Sequence, residues 1–289
     1  MKKITALLLA FVLVMACIGC GKEEDPASGA GTSGSTESGS GETGSEESGS
    51  ESTESGAAGS ESTESGAAEG EGGDSQKVMT HAEYMAAAVD TEVVIEAYVQ
   101  AKQSWWEDKA TIYAQDEDGA YFLYNMVCTE EDYAKLTPGT KIRATGFKAE
   151  WAGEIEIMEG TFEIIEGNYI AEAEDVTALL GSDDLINLQN KFVAFKGMTV
   201  EASKDPDGND VAFLYNYDGS GQDGDDLYFN VSVNGATYTF TVESYLCDKT
   251  TDVYAAVKAL NVGDKIDMEG FLYWYEGVNP HITSVKAAE

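Results

Sequence analysis

The sequence predicts an all-β protein with short helices, in which two tandem five-stranded barrels follow a disordered linker. Apolar residues alternate with period two through much of the chain after residue 76, which is typical of strands. One phrase is written twice, as LTPGTKIRATGF from Leu136 and as LNVGDKIDMEGF from Leu260. Because six of the twelve positions are identical, we interpret the phrase as the same corner of two copies of one domain.

The chain starts with a basic pair, Lys2 and Lys3, and then runs apolar from Ile4 to Val14. Such a stretch is too short to span a bilayer and is typical of a secretory signal. It ends in LVMACIGC, which resembles the lipobox of bacterial lipoproteins. We therefore predict a signal peptide within 1–19, cleaved before Cys17 or alternatively before Cys20. The lipid on that cysteine would hold the protein on the extracytoplasmic face of the cell membrane; an ordinary secretory signal is the alternative.

Residues 20–76 form the predicted tether. From Lys22 to Ser75 the chain is almost entirely Gly, Ser, Glu, Thr and Ala, and GSESTESGAA occurs there twice in succession. Without aromatic or large aliphatic residues, this segment cannot bury enough surface to offset its ordering entropy. We expect a flexible spacer between the membrane and the folded domains.

The folded part is itself acidic. Of a formal net charge of −36, the segment from Gln76 to the end contributes −25, from 39 acidic and 14 basic side chains. Such a surface repels nucleic-acid phosphates and anionic lipid headgroups and favours neutral or cationic partners. Composition therefore makes nucleic acid an unlikely ligand.

The first predicted domain covers 77–168. The residues from Thr80 to Glu83 form a capping box that starts a short helix, and Asp118-Gly119 is a hairpin-turn signal between the second and third strands. One helical stretch, Thr129 to Leu136, separates the third and fourth strands. The apolar alternation defines the strands themselves, through Val93–Val99, Ile112–Ala114, Tyr121–Val127, Ile142–Ala144 and Ile155–Ile164.

The second predicted domain covers 169–289 and repeats this order. Val193 and Phe195 match Val93 and Ile95 of the first strand, and Asn234-Gly235 stands where Asp118-Gly119 stood. A helical face then carries Val253, Ala256, Val257 and Leu260. The repeated phrase follows that helix, as it does in the first copy.

These elements carry a resemblance to a known group. The segment KATIYAQDEDGAYFLY, from Lys109 to Tyr124, resembles the second and third strands of nucleic-acid-binding-type OB-folds, which include tRNA-anticodon-binding-like domains. The resemblance covers roughly 92–166 and, with less specificity, 190–287. It implies a five-stranded barrel with a helix between the third and fourth strands. It also implies a ligand face around strands two and three, flanked by the loops that join strands one to two and four to five.

Aromatic residues concentrate in those loops. Flat rings at a groove mouth can stack on bases or sugar faces, so these residues are the candidate ligand-binding positions: Trp105, Trp106, Trp151, Tyr273, Trp274 and Tyr275. The alternative is that they fold back to close the barrel ends. We expect a binding protein whose ligand is a glycan or a polypeptide. The other hypotheses are a spacer that contacts neighbouring envelope proteins, and the nucleic-acid ligand that the resemblance implies.

Metal binding has weak support. An insertion from about Ser203 to Asp226 is rich in Asp and Gly, and Asp205, Asp207 and Asn209 are its candidate ligands. The EF-hand order is not met, so we expect turns and no metal.

Catalysis has little support either. Cys128 and Cys247 follow the third strand of each copy, which predicts small buried structural residues, with a disulfide as the alternative. His81 and His281 lie in different domains and no nucleophile or metal-ligand spacing accompanies them. We predict that the protein is not an enzyme and needs no cofactor; its oligomeric state is left open.

Overall fold

The computed structural model describes residues 77–288. The predicted signal peptide, the tether and both candidate lipidation sites, Cys17 and Cys20, lie outside the described residues and stay predictions. Within 77–288, no helix is long and apolar enough to cross a membrane.

The first barrel, barrel 1, is a closed five-stranded sheet in the order β1-β2-β3-β5-β4. A helix, α1 (His81–Ala86), precedes it, and α2 (Glu130–Lys135) lies between its third and fourth strands. The strands are β1 (Glu92–Lys102), β2 (Lys109–Gln115), β3 (Ala120–Val127), β4 (Thr140–Trp151) and β5 (Glu154–Asn168).

The second barrel, barrel 2, closes through β7, β11, β12, β14 and β13. Two 3-10 helices, Thr177–Leu179 and Asp183–Leu188, precede it, and α3 (Asp252–Lys258) lies between β12 and β13. The remaining elements are β6 (Glu174–Asp175), β7 (Phe192–Glu201), β8 (Ser203–Lys204), β9 (Asp210–Val211), β10 (Leu214–Tyr215), β11 (Leu227–Val233), β12 (Ala236–Val242), β13 (Lys265–Phe271) and β14 (His281–Ala287).

Both barrels have OB-fold topology, which confirms the predicted fold class. In each, the third and fifth strands pair in parallel, β3 with β5 and β12 with β14, and all other barrel pairings are antiparallel. Each barrel encloses its own apolar core. All five strands of barrel 1 lie within 77–168 and all five of barrel 2 within 169–289, and both barrels belong to one compact unit.

The repeated phrase forms the same helix-to-strand corner in both barrels. Gly139 and Gly263 turn the chain into the fourth strand with φ of 92° and 94°, a conformation that favours glycine. Gly146 and Gly270 lie within that strand. A Cβ at Gly270 would come within 2.3 Å of the His281 carbonyl oxygen, so the glycine permits a close backbone approach.

The insertion between β7 and β11 contains two short strand pairings. Asp210–Val211 pairs with Ser203–Lys204, whereas Leu214–Tyr215 adds to the edge of β11. Asp205 accepts hydrogen bonds from the backbone and side-chain nitrogens of Asn209, at 2.7 and 3.0 Å. Because this carboxylate holds its own turn, the Asp-Gly pattern is accounted for locally.

Candidate functional site

A cleft of about 930 Å³ lies between the two barrels. Its barrel 1 wall is the outer face of β2 and β3, together with the β1–β2 loop and the β4–β5 turn. Its barrel 2 wall comes from β11, the segment after β12, and the β13–β14 loop. Such a volume is at the upper end of the range of roughly 300–1,000 Å³ that is usual for ligand sites. Because its barrel 1 wall is formed by β2 and β3, the cleft lies on the face at which OB-folds bind ligands.

Exposed aromatic side chains converge in this cleft. Tryptophans contribute two of them, Trp106 at 70% exposure and Trp151 at 61%. Three tyrosines, Tyr124, Tyr245 and Tyr275, are also exposed there, and Tyr245 is 66% accessible. Rings that remain open to solvent inside a concave site can stack on the flat face of a ligand.

Tight turns present the two tryptophans. Trp106 and Lys109 exchange backbone hydrogen bonds of 3.2 and 2.9 Å around Glu107 and Asp108, which both have positive φ. Trp151 pairs with Glu154 around Ala152 and Gly153, which also both have positive φ. Positive φ at both central residues matches the twist of flanking strands. Each tryptophan therefore stands beside a two-residue turn: Trp151 at the β4–β5 hairpin, and Trp106 at an isolated bridge within the β1–β2 loop.

Two carboxyl groups face the cleft, one from each barrel. Glu156, on β5, is buried, and burial raises its pKa to about 7. Its carboxyl group makes no hydrogen bond or ion pair with any of the described residues. Glu243, after β12, is half-buried, and burial followed by the Asp226 charge raises its pKa to about 7.

Glu243 is held by barrel 1 as well as by its own chain segment. Gln103 Nε2 donates to Glu243 Oε2 at 3.1 Å, and the backbone nitrogens of Tyr245 and Leu246 donate to its two oxygens. The exposed Glu150 is a third acid at the cleft, whereas Lys109 is the single Lys or Arg among the lining residues. The lining is therefore acidic and aromatic.

Barrel 2 covers part of the strand face that would otherwise be open. Tyr113 and Phe122, which point outward from β2 and β3, are buried with Phe271 in a cluster separate from either core. Tyr113 stacks on Phe271 with ring centroids 4.5 Å apart. The contact excludes water from part of the face, and the part that stays open forms the cleft.

The β4–β5 turn is bonded into barrel 2. Gln189 accepts from the Ile155 backbone nitrogen at 3.0 Å and donates to the Gly153 carbonyl at 2.8 Å. The Trp274 backbone nitrogen donates to Glu154 Oε2 at 2.9 Å. These bonds fix the turn that carries Trp151, so the two walls of the cleft are held in register.

Four of the six aromatic candidates meet in the cleft: Trp106, Trp151, Tyr273 and Tyr275. Trp105 does not line it, because the half-buried ring donates from Nε1 to the Cys128 carbonyl at 2.8 Å. Trp274 turns toward the barrel 2 core and Gly153, and it lines a smaller cavity of about 400 Å³. For these two tryptophans, the alternative of closing the barrel describes the structure better.

The cleft residues that sequence reasoning did not single out include Tyr124, Glu156, Tyr228, Glu243, Tyr245 and Asn279. The strand alternation around Tyr121 to Val127 could have identified Tyr124 as an outward residue of β3. The three from β11 and the segment after β12 become neighbours of barrel 1 only through the docking of the barrels. No local pattern signals that contact.

The remaining candidates do not join the cleft. Among the residues described, no group of three acidic, His or Cys side chains could hold a metal ion, and Asp205, Asp207 and Asn209 stay a turn. Cys128 and Cys247 are both buried and free, each packed in its own barrel core, so the disulfide alternative does not describe the structure.

Comparisons with known proteins yield only structural likeness. No protein-family model and no curated protein matches the chain. A murine DNA-binding protein bound to double-stranded DNA is 12% identical with a TM-score of 0.34, covering 68% of this chain and 97% of its own. The p202 HIN1 domain in complex with a 12-mer double-stranded DNA is 13% identical with a TM-score of 0.32, covering 70% and 94%.

A replication protein A heterotrimer bound to single-stranded DNA is 10% identical with a TM-score of 0.29, covering 69% of this chain and 51% of its own. All three are DNA complexes, and nucleic acid is the class of ligand that the OB-fold resemblance implies. TM-scores below 0.5 at such identities carry no argument about what this chain binds.

Proposed function

We propose that the protein is a non-enzymatic binding protein whose cleft takes a sugar chain. The observation that carries the proposal is the convergence of Trp106, Trp151, Tyr124, Tyr245 and Tyr275, all exposed, on one concave site. Stacked aromatic rings suit the apolar faces of sugar rings. The amides of Gln103, Asn125 and Asn279 and the carboxyl groups suit their hydroxyls.

A sugar chain fits better than a polypeptide. Extended peptides commonly bind by adding a strand to a free sheet edge. The strands that border the cleft are paired with neighbours in their barrels, and only the short end of β3 after Leu123 lies beyond the pairing with β5. Recognition there must come from side chains, which is the chemistry of glycan sites.

Nucleic acid is the competing ligand. The resemblance of Lys109 to Tyr124 to nucleic-acid-binding-type OB-folds implies it, and aromatic platforms can stack bases as well as sugars. However, single-strand sites add a positive groove that tracks phosphates, whereas this cleft carries Glu150, Glu156 and Glu243 against Lys109. The lining therefore favours a neutral or cationic ligand.

Binding rather than catalysis is supported by the state of the cleft histidine. His281 is buried against Tyr113, and burial lowers its pKa to about 3. A neutral imidazole that is fixed in the barrel contact is not placed to exchange protons with a ligand. The proposal includes presentation outside the membrane through a lipid on Cys17 or Cys20, supported by the lipobox-like sequence. Metabolic labelling with a fatty-acid analogue in Cys17→Ala and Cys20→Ala would identify the acceptor.

Tryptophan fluorescence of the full chain tests the proposed ligand class. The titrants are cellohexaose, hexamers of glucosamine and N-acetylglucosamine, and a 20-mer of oligothymidine. We expect a saturable change with a sugar and roughly tenfold weaker binding for each of Trp106→Ala and Trp151→Ala, since a stacking contact is worth ~1–3 kcal/mol in nucleic-acid sites. Trp105 and Trp274 remain as reporters in the double variant.

Tyr217→Ala is the matched control, because Tyr217 is 77% exposed and lies outside the cleft. It should bind as the wild type does. Saturable, salt-sensitive binding of the oligonucleotide without sugar binding would replace the proposal with a nucleic-acid function. Silence across the panel would leave the spacer hypothesis.

A further inference from the structure

We propose that the cleft selects a sugar chain bearing free ammonium groups, which Glu156 and Glu243 hold from opposite walls. This inference rests on the proposed sugar-binding function and specifies its ligand. It concerns the charge of the ligand, which stacking on aromatic rings does not determine.

The unpartnered carboxyl group of Glu156 is the first argument. Its residue is only 7% exposed, yet it lines the cleft and has no hydrogen-bonding or ionic partner among residues 77–288. Its oxygens are not among the fully enclosed unpaired atoms of residues 77–288, so the carboxyl group opens to the cleft, where a ligand or water can satisfy it. When it is ionised, the carboxyl group only accepts hydrogen bonds, so a ligand that supplies a donor with positive charge satisfies both its hydrogen bonding and its charge.

The second argument is the charge that surrounds Glu156. The negative charge of Glu156 helps to raise the pKa values of Glu154, Tyr84 and Tyr273. None of these three neighbours is a cation. Tyr273 responds to Glu243 as well, so the two carboxyl groups share one electrostatic neighbourhood. Near Glu243 are Asp226, Gln103, Tyr113, Tyr228 and Cys247, again without a cation.

Among residues 77–288, Lys109 is the one cation that lines the cleft, and it is exposed on the Trp106 turn. A neutral hydroxyl could donate to a carboxylate, but it would leave the buried charge uncompensated. An ammonium group supplies three donors and the opposite charge. A phosphate, sulfate or carboxylate on the ligand would instead meet like charge.

Selectivity follows from proton linkage. Both glutamates have pKa values near 7 in the free protein, so a fraction is protonated around neutrality. A bound cation favours the ionised form and lowers both pKa values. An acetylated amine has no charge and cannot produce that effect.

The test uses two probes that differ only in acetylation: the β-1,4-linked hexamer of glucosamine and its fully N-acetylated counterpart. Full-length protein is titrated at pH 6 by calorimetry and fluorescence. We expect the free amine to bind at least tenfold more tightly. Glu156→Gln should remove most of that preference while changing affinity for the acetylated hexamer less than threefold.

Glu159→Gln is the matched control, since Glu159 is an exposed residue of the same strand, β5, and does not line the cleft. It should keep the preference. Glu156→Gln replaces a buried acid with a neutral isostere, and thermal unfolding will show whether this variant is folded. Glu243→Gln provides an independent second variant.

Three outcomes would overturn the inference. Equal affinity for the two hexamers would show that the cleft binds sugars without regard to charge, and the proposed function would stand. No binding of either hexamer, nor of cellohexaose, would remove both proposals. Equally tight, Glu156-dependent binding of hexalysine would assign the ammonium site to a cationic peptide.

Discussion

The hydroxyl oxygen of Tyr113, on β2 of barrel 1, lies 2.6 Å from Nδ1 of His281, on β14 of barrel 2. Burial lowers the pKa of His281 to about 3, so the ring is neutral. We assign Nδ1 as the acceptor and the tyrosine as the donor, while Gln103 Nε2 approaches the same hydroxyl at 3.4 Å. One buried network therefore joins both barrels directly behind the cleft.

Tyr113→Phe tests this network. The substitution keeps the stacked ring on Phe271 but leaves the buried Nδ1 of His281 without its donor. We expect the free energy of unfolding to fall by ~1–3 kcal/mol, measured by urea denaturation. Tyr217→Phe, at an exposed position, should have little effect. Equal stability of the two variants would show that water replaces the hydroxyl.

Glu154 makes stability depend on pH. Burial raises its pKa to about 8, although the Asn190 side chain and the Trp274 backbone nitrogen act in the opposite direction. The unfolded chain ionises near 4.5, the ordinary value, so between about 4.5 and 8 the folded state binds more protons. The free energy of unfolding therefore falls as pH rises through that range and levels off above it.

Glu154→Gln should remove this contribution. Its amide can still accept from the Trp274 backbone nitrogen. It can also donate to the buried Oδ1 of Asn190, because neither this atom nor Glu154 Oε1 has a hydrogen-bond partner among the described residues. We expect the variant to gain stability over wild type progressively from pH 5 to pH 8. Glu156 and Glu243 change stability in the same direction in both proteins, so their effect cancels in the difference. A constant difference across pH would contradict the raised pKa.

Lys148 secures the leading helix to barrel 1. Its ammonium group donates to the carbonyls of Tyr84, Met85 and Ala87, at 3.2, 2.7 and 2.8 Å, and so satisfies the end of α1. We expect Lys148→Met to cost ~1.5–3 kcal/mol, because hydrogen bonds from a charged group are lost in a buried place. Lys135→Met, which removes only surface ion pairs with Glu131 and Asp132, should cost under ~1 kcal/mol.

Thermal and urea unfolding of these two lysine variants supply the comparison. Hydrogen exchange would locate the effect of Lys148→Met, since amides of α1 should lose protection before those of β2 or β3. If both variants lost equal stability, the buried ammonium group would not anchor the helix.

Local patterns in the chain were sufficient for most of the fold. The capping box at Thr80, the turn at Asn234-Gly235 and the two glycine corners depend on neighbours within a few residues, and all appear as predicted. The repeated phrase nevertheless has different surroundings in its two copies. Phe147 remains 40% exposed, whereas its equivalent Phe271 is 3% exposed, because Phe271 packs against Tyr113 and Phe122 of barrel 1.

The candidate site was predicted only in part, because contacts between residues far apart in the sequence decide which side chains line the cleft. Trp106 and Trp151 could be found because hairpin turns of a barrel have a known place and large rings in them stand out. In the sequence, Trp105 and Trp274 are equally good candidates. In the structure, Trp105 donates a hydrogen bond to the Cys128 carbonyl and Trp274 packs on the barrel 2 core, so neither lines the cleft.

By itself the sequence determined two OB-fold barrels, their turns and the acidic character of the surface. Periodicity and turn chemistry depend only on neighbouring residues, and net charge is the sum of the charged side chains. Only the tertiary structure decided that the barrels pack face to face. That contact joins Glu156 to Glu243, which are 87 positions apart in the chain, and buries Tyr113 against His281. Long-range packing depends on the complementary shapes of two complete surfaces, and no local pattern in the chain encodes such a fit.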